Sequence, residues 1–137
     1  MTETYFVDTN VFVRYLTGDD EGKAKAVRAV LLKAKSGKIR LVTSELVIAE
    51  LVWVLKSYYG LADKVIAELV EAVLNTEGLA VENELVIRDG VNIFIDNGVD
   101  FVDAIIIASM RKNGMIKLLS FDKKHMARFP DLELIKP

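Results

Sequence analysis

Fold class is most clearly encoded in residues 39–58, IRLVTSELVIAELVWVLKSY. The first four residues, 39–42, are mostly apolar or β-branched and predict a short strand. Thr43 and Ser44 are residue types that favour a helix N-terminus, and the apolar-rich stretch after them predicts a helix to about residue 58. A short strand that leads directly into a longer helix is the building unit of parallel α/β sheets.

The same alternation of short strands and longer helices extends in both directions from this unit. We predict strands at 5–7, 39–42, 79–81, 117–120 and 132–135, and helices at 21–36, 44–58, 61–75, 84–97 and 101–113. The predicted fold is a single α/β domain, residues 1–137, with three layers and a mostly parallel sheet. In such sheets, ligands bind outside the carboxyl ends of the strands.

Composition excludes several classes of functional site. The chain has no Cys and one His, which excludes zinc ribbons, iron–sulfur sites, Cys nucleophiles and multi-His metal centres. Lys and Arg (18) nearly balance Asp and Glu (20), so contact with nucleic acid would need a local patch or a metal ion. We see no targeting signal, and the apolar run 46–55 is too short to span a membrane, so we expect a cytoplasmic protein.

Four carboxylates lie at positions that a parallel sheet would bring to one edge. Asp8 and Asp122 each follow a predicted strand, Glu50 lies in the helix after the second strand, and Asp103 lies in the first turn of the last helix. Three of them also have a purely structural explanation. Asp8 could be a helix N-cap, Asp103 could interact with the helix dipole, and Asp122 could be an ordinary turn residue.

Glu50 is the most informative of the four acids. Its neighbours one helical turn away are all apolar: Leu46, Val47, Trp53 and Val54. No basic side chain within one turn of its own helix can pair with it, and an isolated buried carboxylate is costly. We therefore expect Glu50 to point into a polar cleft. The alternative is a surface residue on a narrow exposed strip with Glu45 and Lys56.

Taken together, the four acids predict a metal site. Like charges a few ångströms apart repel by about 4 kcal/mol at an effective dielectric constant near 20, so a converging cluster needs protons or a cation. Oxygen ligands without His or Cys favour Mg²⁺ or Mn²⁺. Because these ions bind phosphates and activate water, the predicted reaction is metal-assisted hydrolysis of phosphodiester bonds.

The ordered set Asp8-Thr9-Asn10, Glu50, Asp103-Ala104 and Ser120-Phe121-Asp122 resembles the PIN-domain nucleases. Among them it is most similar to the VapC-type toxins of prokaryotic toxin–antitoxin pairs. The order and spacing match over nearly the whole chain. Ser120 stands where many members have Thr, and this difference retains the hydroxyl group.

The resemblance implies a five-stranded parallel sheet flanked by helices, and a Mg²⁺- or Mn²⁺-dependent endoribonuclease that acts on structured or single-stranded RNA. It also implies a homodimer that is inhibited by a small antitoxin protein, whose tail reaches into the acidic site. The implied site residues are the metal ligands Asp8, Asp103 and Asp122, the helix acid Glu50, which holds a metal directly or through water, and the supporting or substrate-positioning residues Thr9, Asn10 and Ser120. Asp103 is preferred to Asp100 as the ligand because it directly precedes Ala104. Asp100 is left as the helix cap or a secondary ligand.

Other side chains near these acids have less specific assignments. The phosphates of RNA could be contacted by Arg14 and by the three residues after Asp122, which are Lys123, Lys124 and His125. Each of these is also explained as an ordinary surface residue. Trp53, Tyr58 and Tyr59 are predicted to lie in the core or at a dimer interface rather than to stack on bases.

Several other functions are compatible with a small α/β chain. A response-regulator domain would need paired acids after the first strand, and a haloacid-dehalogenase phosphatase would need a second Asp two residues after Asp8, and neither is present. Two alternatives stay open: a PIN-domain nuclease of RNA maturation or quality control, and a non-catalytic PIN-like binding module. A short upstream reading frame that encodes a DNA-binding N-terminus and a basic tail would favour the toxin.

Overall fold

The computed structural model describes residues 2–137, except for the side chains of His125 and Met126. The described chain forms two compact units, residues 2–84 (unit 1) and 85–137 (unit 2). None of the described helices is long and apolar enough to cross a membrane.

Unit 1 is built on a three-stranded parallel sheet with helices connecting its strands. Its elements are β1 (Glu3–Phe6), α1 (Thr9–Thr17), α2 (Glu21–Lys35), β2 (Ile39–Thr43), α3 (Glu45–Ser57), α4 (Asp63–Leu74) and β3 (Leu79–Val81). The strand order is β1-β2-β3, and Leu41 of the central strand pairs with Tyr5 on one side and Leu79 on the other. Apolar side chains of α3 and α4 fill the core, including the completely buried Ile48, Leu51, Leu55, Ile66 and Val70.

Unit 2 contains two long helices and a two-stranded parallel sheet. Its elements are α5 (Glu84–Asn97), which begins at the last residue of unit 1, α6 (Phe101–Lys112), β4 (Lys117–Leu119), α7 (Lys123–Met126) and β5 (Glu133–Ile135). Phe94 and Phe101 pack edge to face, with their ring centroids 5.7 Å apart. Gly90 allows α5 to approach α6 closely, because a Cβ at this position would lie 2.5 Å from the Cδ1 atom of Ile105.

The prediction of a five-stranded sheet is wrong for this structure. Strands β1, β2 and β3 form one parallel sheet, whereas β4 and β5 form a separate pair in which Leu118 faces Leu134. The backbone bonds at the ends of this pair confirm it, since the Ser120 amide donates to the Ile135 carbonyl and the Glu133 amide donates to the Ile116 carbonyl. Apolar patterning identifies strands of this length, but it does not specify which strand each one pairs with.

The predicted elements otherwise agree with the structure to within two residues at each end. Helices α1 and α7 are additional. From the sequence, a helix N-cap is one explanation of Asp8, but no bounds are predicted for a helix after it. Helix α7 is a single turn. The parallel direction of every observed strand pair confirms the α/β class.

We expect Gly78→Ala to destabilise unit 1 more than Gly37→Ala does. Both glycines have positive φ values, +83° and +79°, which cost an alanine about 1–2 kcal/mol. At Gly78 the new Cβ would also lie 2.5 Å from the Ala34 carbonyl oxygen, whereas at Gly37 it would meet no atom within 4 Å. Overpacking adds about 1–3 kcal/mol, so urea unfolding should rank Gly78→Ala clearly below Gly37→Ala in stability. Equal losses would contradict the close contact between α2 and the start of β3.

Candidate active site

A cleft of about 300 Å³ in unit 1 brings together four of the predicted site residues. Its lining includes Asp8, Thr9 and Asn10 from the start of α1 and Glu50 from the middle of α3. Residues 8 and 50 are far apart in sequence, so their shared cleft is a product of the fold. Glu50 lines this cleft and is at the same time exposed to solvent, so it has features of both the cleft residue and the surface residue considered from the sequence.

The carboxyl end of β1 fixes the position of Asp8. The Val7 amide donates to the Val42 carbonyl at 2.8 Å, and the buried Thr43 hydroxyl donates to the Val7 carbonyl at 2.9 Å. Asp8 then adopts extended backbone geometry as the N-cap of α1, and its Oδ1 accepts a hydrogen bond from the Thr9 amide at 2.7 Å. Asp8 therefore caps α1 and also lines the cleft, so a role as helix N-cap does not exclude a role as metal ligand.

Thr9 is the most unusual polar residue of the cleft. Its side chain is only 5% exposed, yet its Oγ1 atom has no hydrogen-bond partner among the described residues. A buried hydroxyl group without a partner costs free energy, and such groups are uncommon in folded proteins. Thr9 thus places a buried hydroxyl without a described partner directly after Asp8 in the lining of the cleft.

Glu50 lies on the open side of α3. Two of its apolar neighbours lie on the surface, since Leu46 is 80% exposed and Trp53 is 66% exposed. Glu50 is itself exposed at the mouth of the cleft. Helix α3 packs against the core through its opposite side, which includes Ile48 and Leu51. Because both sides of the helix are apolar, the sequence pattern does not show which side faces the solvent.

The far end of the cleft holds a hydrogen-bond network that sequence reasoning did not find. Asp19 accepts hydrogen bonds from the Tyr59 hydroxyl at 2.5 Å, from the Thr17 hydroxyl at 3.0 Å and from the Arg14 guanidinium at 3.2 Å. Arg14, Asp19 and Tyr59 all line the cleft. The network joins the end of α1 to the end of α3, and the pairing of residues 19 and 59 has no local sequence signal.

The network alters the acidity of its members. The hydrogen bond from Tyr59 is the largest influence that holds the pKa of Asp19 below its ordinary value, and Thr17 and Arg14 lower it further. The same bond raises the pKa of Tyr59, and the contact with Asp19 raises the pKa of Arg14. Arg14 is thus held beside the Asp19 carboxyl group at the cleft.

Unit 2 contains the other predicted acids. Asp103 lies half-buried in the first turn of α6, as predicted. Asp100 occupies the N-cap position of α6, but within the described residues its side chain forms no capping hydrogen bond. Asp122 precedes α7: its amide donates to Ser120 Oγ at 3.0 Å, and its Oδ1 accepts from the Lys124 amide at 3.1 Å. The turn role considered for Asp122 is therefore observed.

Neither unit, taken by itself, gathers three acidic or histidine side chains of the described chain into a metal site. Each unit contains two of the four predicted carboxylates: Asp8 and Glu50 in unit 1, and Asp103 and Asp122 in unit 2. The convergence of all four stays a prediction.

Comparison with known proteins identifies the family. A profile of the PIN domain matches residues 5–132. The chain belongs to the PIN domain family. The matched region covers the cleft of unit 1 and most of unit 2. No curated protein gives a significant match to this PIN domain.

Solved structures to which the chain is similar include one described as a toxin and one described as a toxin–antitoxin complex. The toxin VapC20 of Mycobacterium tuberculosis, described as cleaving the sarcin–ricin loop, has 23% identity and a TM-score of 0.42, over 90% of this chain and 94% of its own. A toxin–antitoxin complex from Klebsiella pneumoniae has 17% identity and a TM-score of 0.35, over 96% of both chains. Identities and TM-scores this low do not bear on activity.

We expect Tyr59→Phe to move the pKa of Asp19 back up towards about 3.9, the ordinary value for Asp. The substitution removes the hydrogen bond that lowers this pKa most. A group with a lowered pKa stabilises the fold above its unfolded pKa, and this contribution disappears as the pH falls through its folded pKa. The wild type should therefore lose more stability than Tyr59→Phe does as the pH falls below about 4.

An NMR titration of the Asp19 carboxyl carbon measures this pKa directly. Tyr58→Phe is the matched control, because it removes the neighbouring hydroxyl without touching the bond to Asp19. If Tyr59→Phe leaves the titration of Asp19 unchanged, the network does not have the structure described.

Proposed function

We propose that this PIN domain is a metal-dependent endoribonuclease that hydrolyses phosphodiester bonds of RNA. The observation that carries the proposal is the cleft of unit 1, whose lining includes both predicted acids, Asp8 and Glu50, and Thr9, whose hydroxyl has no partner among the described residues. Membership of the PIN domain family supports it, because the sequence motifs of this family predicted the same residues.

The donor set in the cleft fits a hard divalent cation. Asp8 and Glu50 offer carboxylate oxygens, Thr9 offers a hydroxyl, and Asn10 offers an amide oxygen. Such oxygen ligands suit Mg²⁺ or Mn²⁺. Among the described lining residues Arg14 is the one basic group, and it already pairs with Asp19, so the two predicted ligands leave excess negative charge. A bound Mg²⁺ or Mn²⁺ would neutralise this charge, bind a phosphate oxygen and lower the pKa of water.

The side chains have distinct parts in this proposal. Asp8 at the start of α1 and Glu50 in the middle of α3 would hold the cation, and the capping bond to the Thr9 amide keeps the Asp8 carboxylate in one orientation. Thr9 and Asn10 hydrogen-bond to ligands or to bound water. Asp103 and Asp122 are proposed as further ligands, with Ser120 supporting Asp122, on the sequence pattern and the family resemblance.

The biological role that we propose is the toxin of a type II toxin–antitoxin pair. It rests on the resemblance of the ordered acid set to VapC-type toxins, which also suggests a homodimer and a small antitoxin partner. Expression of the chain alone should arrest growth of a bacterial host, and co-expression of the gene product encoded directly upstream should restore growth. Growth that is unaffected by an active nuclease would instead favour a role in RNA maturation or quality control.

We expect Asp8→Asn and Asp103→Asn each to reduce RNA cleavage in Mg²⁺ or Mn²⁺ by at least about 100-fold. Substitution of a residue that only hydrogen-bonds to a metal ligand already lowers activity by about 10- to 100-fold. Loss of a ligand itself should therefore lower activity further. Chelation with EDTA should abolish cleavage by the wild type. Asn retains capping ability at position 8, so the fold should survive.

Asp20→Asn is the matched control for Asp8→Asn. Asp20 is also a helix N-cap in unit 1, where it accepts from the Lys23 amide at 3.0 Å, but it does not line the cleft. Its substitution should leave cleavage within about twofold. Activity that persists in EDTA, or in both the Asp8 and the Asp103 variants, would disprove the metal-dependent mechanism.

We expect Thr9→Val to weaken metal binding without destabilising the metal-free protein. The hydroxyl of Thr9 has no partner in the described chain, so an isosteric methyl group should leave the free energy of unfolding unchanged or raise it by about 1 kcal/mol. The rise in melting temperature on adding Mn²⁺ should be smaller in the variant than in the wild type. A large loss of stability without metal would mean that the hydroxyl has a structural partner instead.

A further inference from the structure

The cleft of unit 1 has an aromatic edge that the proposed chemistry does not use. Tyr58 lines this cleft together with Asp8 and Glu50, and its side chain is 80% exposed. Of the two positions predicted for Tyr58, the core is therefore wrong, and the dimer interface stays a prediction. Most of the surface of its ring is open to the solvent beside the proposed active site.

The position of Tyr58 is well defined although the ring is exposed. It is the C-cap of α3, and its amide donates to the Val54 carbonyl at 2.9 Å. The next residues close the helix end, since the Gly60 amide donates to Lys56 and the Leu61 amide donates to Leu55. Gly60, with φ of +65°, permits this tight ending.

Tyr59 supports the ring from the side. The rings of Tyr58 and Tyr59 pack edge to face, with centroids 4.9 Å apart and planes at 73°. Tyr59 is held in turn by its hydrogen bond to Asp19 at the end of α1. An edge-to-face pair of this kind is favourable, and it restricts the ring of Tyr58 without covering its exposed surface.

We propose that Tyr58 is the stacking platform for an unpaired base of the RNA substrate, held next to the phosphodiester bond that is cleaved. This inference rests on the proposed nuclease function and specifies its substrate: a single-stranded or looped segment. Proteins recognise unpaired bases by stacking them on exposed aromatic rings, whereas the bases of a duplex already stack on each other.

The charges of the cleft agree with this assignment. Its described lining contains three carboxylates and one guanidinium, so a polyanion obtains little attraction from the protein surface itself. Stacking does not depend on charge and would supply the missing binding energy. The one basic group among the described lining residues, Arg14, is paired with Asp19, which also accepts the hydrogen bond from Tyr59.

The test compares variants in a binding assay that does not require cleavage. Short single-stranded RNA containing 2-aminopurine is titrated with protein in EDTA, and quenching of its fluorescence reports base stacking. Tyr58→Ala should weaken binding about tenfold or more, since stacking on one aromatic ring is worth about that much. Tyr58→Phe keeps the ring and should remain within about twofold of the wild type.

Trp53→Ala is the matched control. Trp53 is an exposed aromatic residue of the same helix that does not line the cleft, so its loss should leave binding unchanged. A fully paired RNA duplex of the same sequence should bind the wild type and Tyr58→Ala equally. In the cleavage assay with metal, Tyr58→Ala should raise KM for single-stranded RNA while kcat is retained.

Several outcomes would overturn the inference. The first is an absence of quenching with wild-type protein. The second is an equal loss of RNA-binding affinity in Tyr58→Ala and Trp53→Ala, or an equal loss by Tyr58→Ala with duplex RNA. The third is a change in the oligomeric state of Tyr58→Ala with unchanged RNA binding. If the wild type cleaves RNA and Tyr58→Ala behaves identically, the inference fails but the nuclease function stands. If no metal supports cleavage while Tyr58→Ala still loses binding, the nuclease function fails but the platform stands.

Discussion

The buried hydrogen bond from the Thr43 hydroxyl to the Val7 carbonyl is the interaction on which the candidate site depends. It joins the carboxyl ends of β1 and β2, beyond the last pair of the regular ladder. On one side the chain continues into Asp8 and α1, and on the other into Ser44, whose side chain caps α3 by accepting from the Val47 amide. Because both helices begin at this point, Asp8 and Glu50 are brought to one cleft.

The local part of this arrangement could be predicted from sequence. Thr43 and Ser44 are good helix-start residues after an apolar strand, and the predicted βα unit at residues 39–58 is observed almost residue for residue. Asp8, Asp103 and Asp122 could be placed at helix starts or turns for the same reason. The ordered acids also pointed to the PIN domain family, and the family match confirms this.

The non-local part could not be predicted in the same way. Strand patterning located β4 and β5 but gave no information about their partners, so the sheet was expected to be continuous. The apolar neighbours of Glu50 favoured a polar cleft over a solvent-exposed strip, although Leu46, Trp53 and Glu50 itself are exposed. The hydrogen bond between Asp19 and Tyr59 joins residues 40 positions apart, and neither residue has a local pattern that distinguishes it from an ordinary surface group.

The exposure of Trp53 has a practical consequence for studying this protein in solution. It is the single tryptophan of the chain, and it lies on the open side of α3. Its indole emission should therefore have the red-shifted maximum of a solvent-exposed fluorophore. Whatever covers this side of the helix, whether a second copy of the chain or another protein, would shift that emission to shorter wavelengths, so the native sequence already contains an optical reporter of assembly.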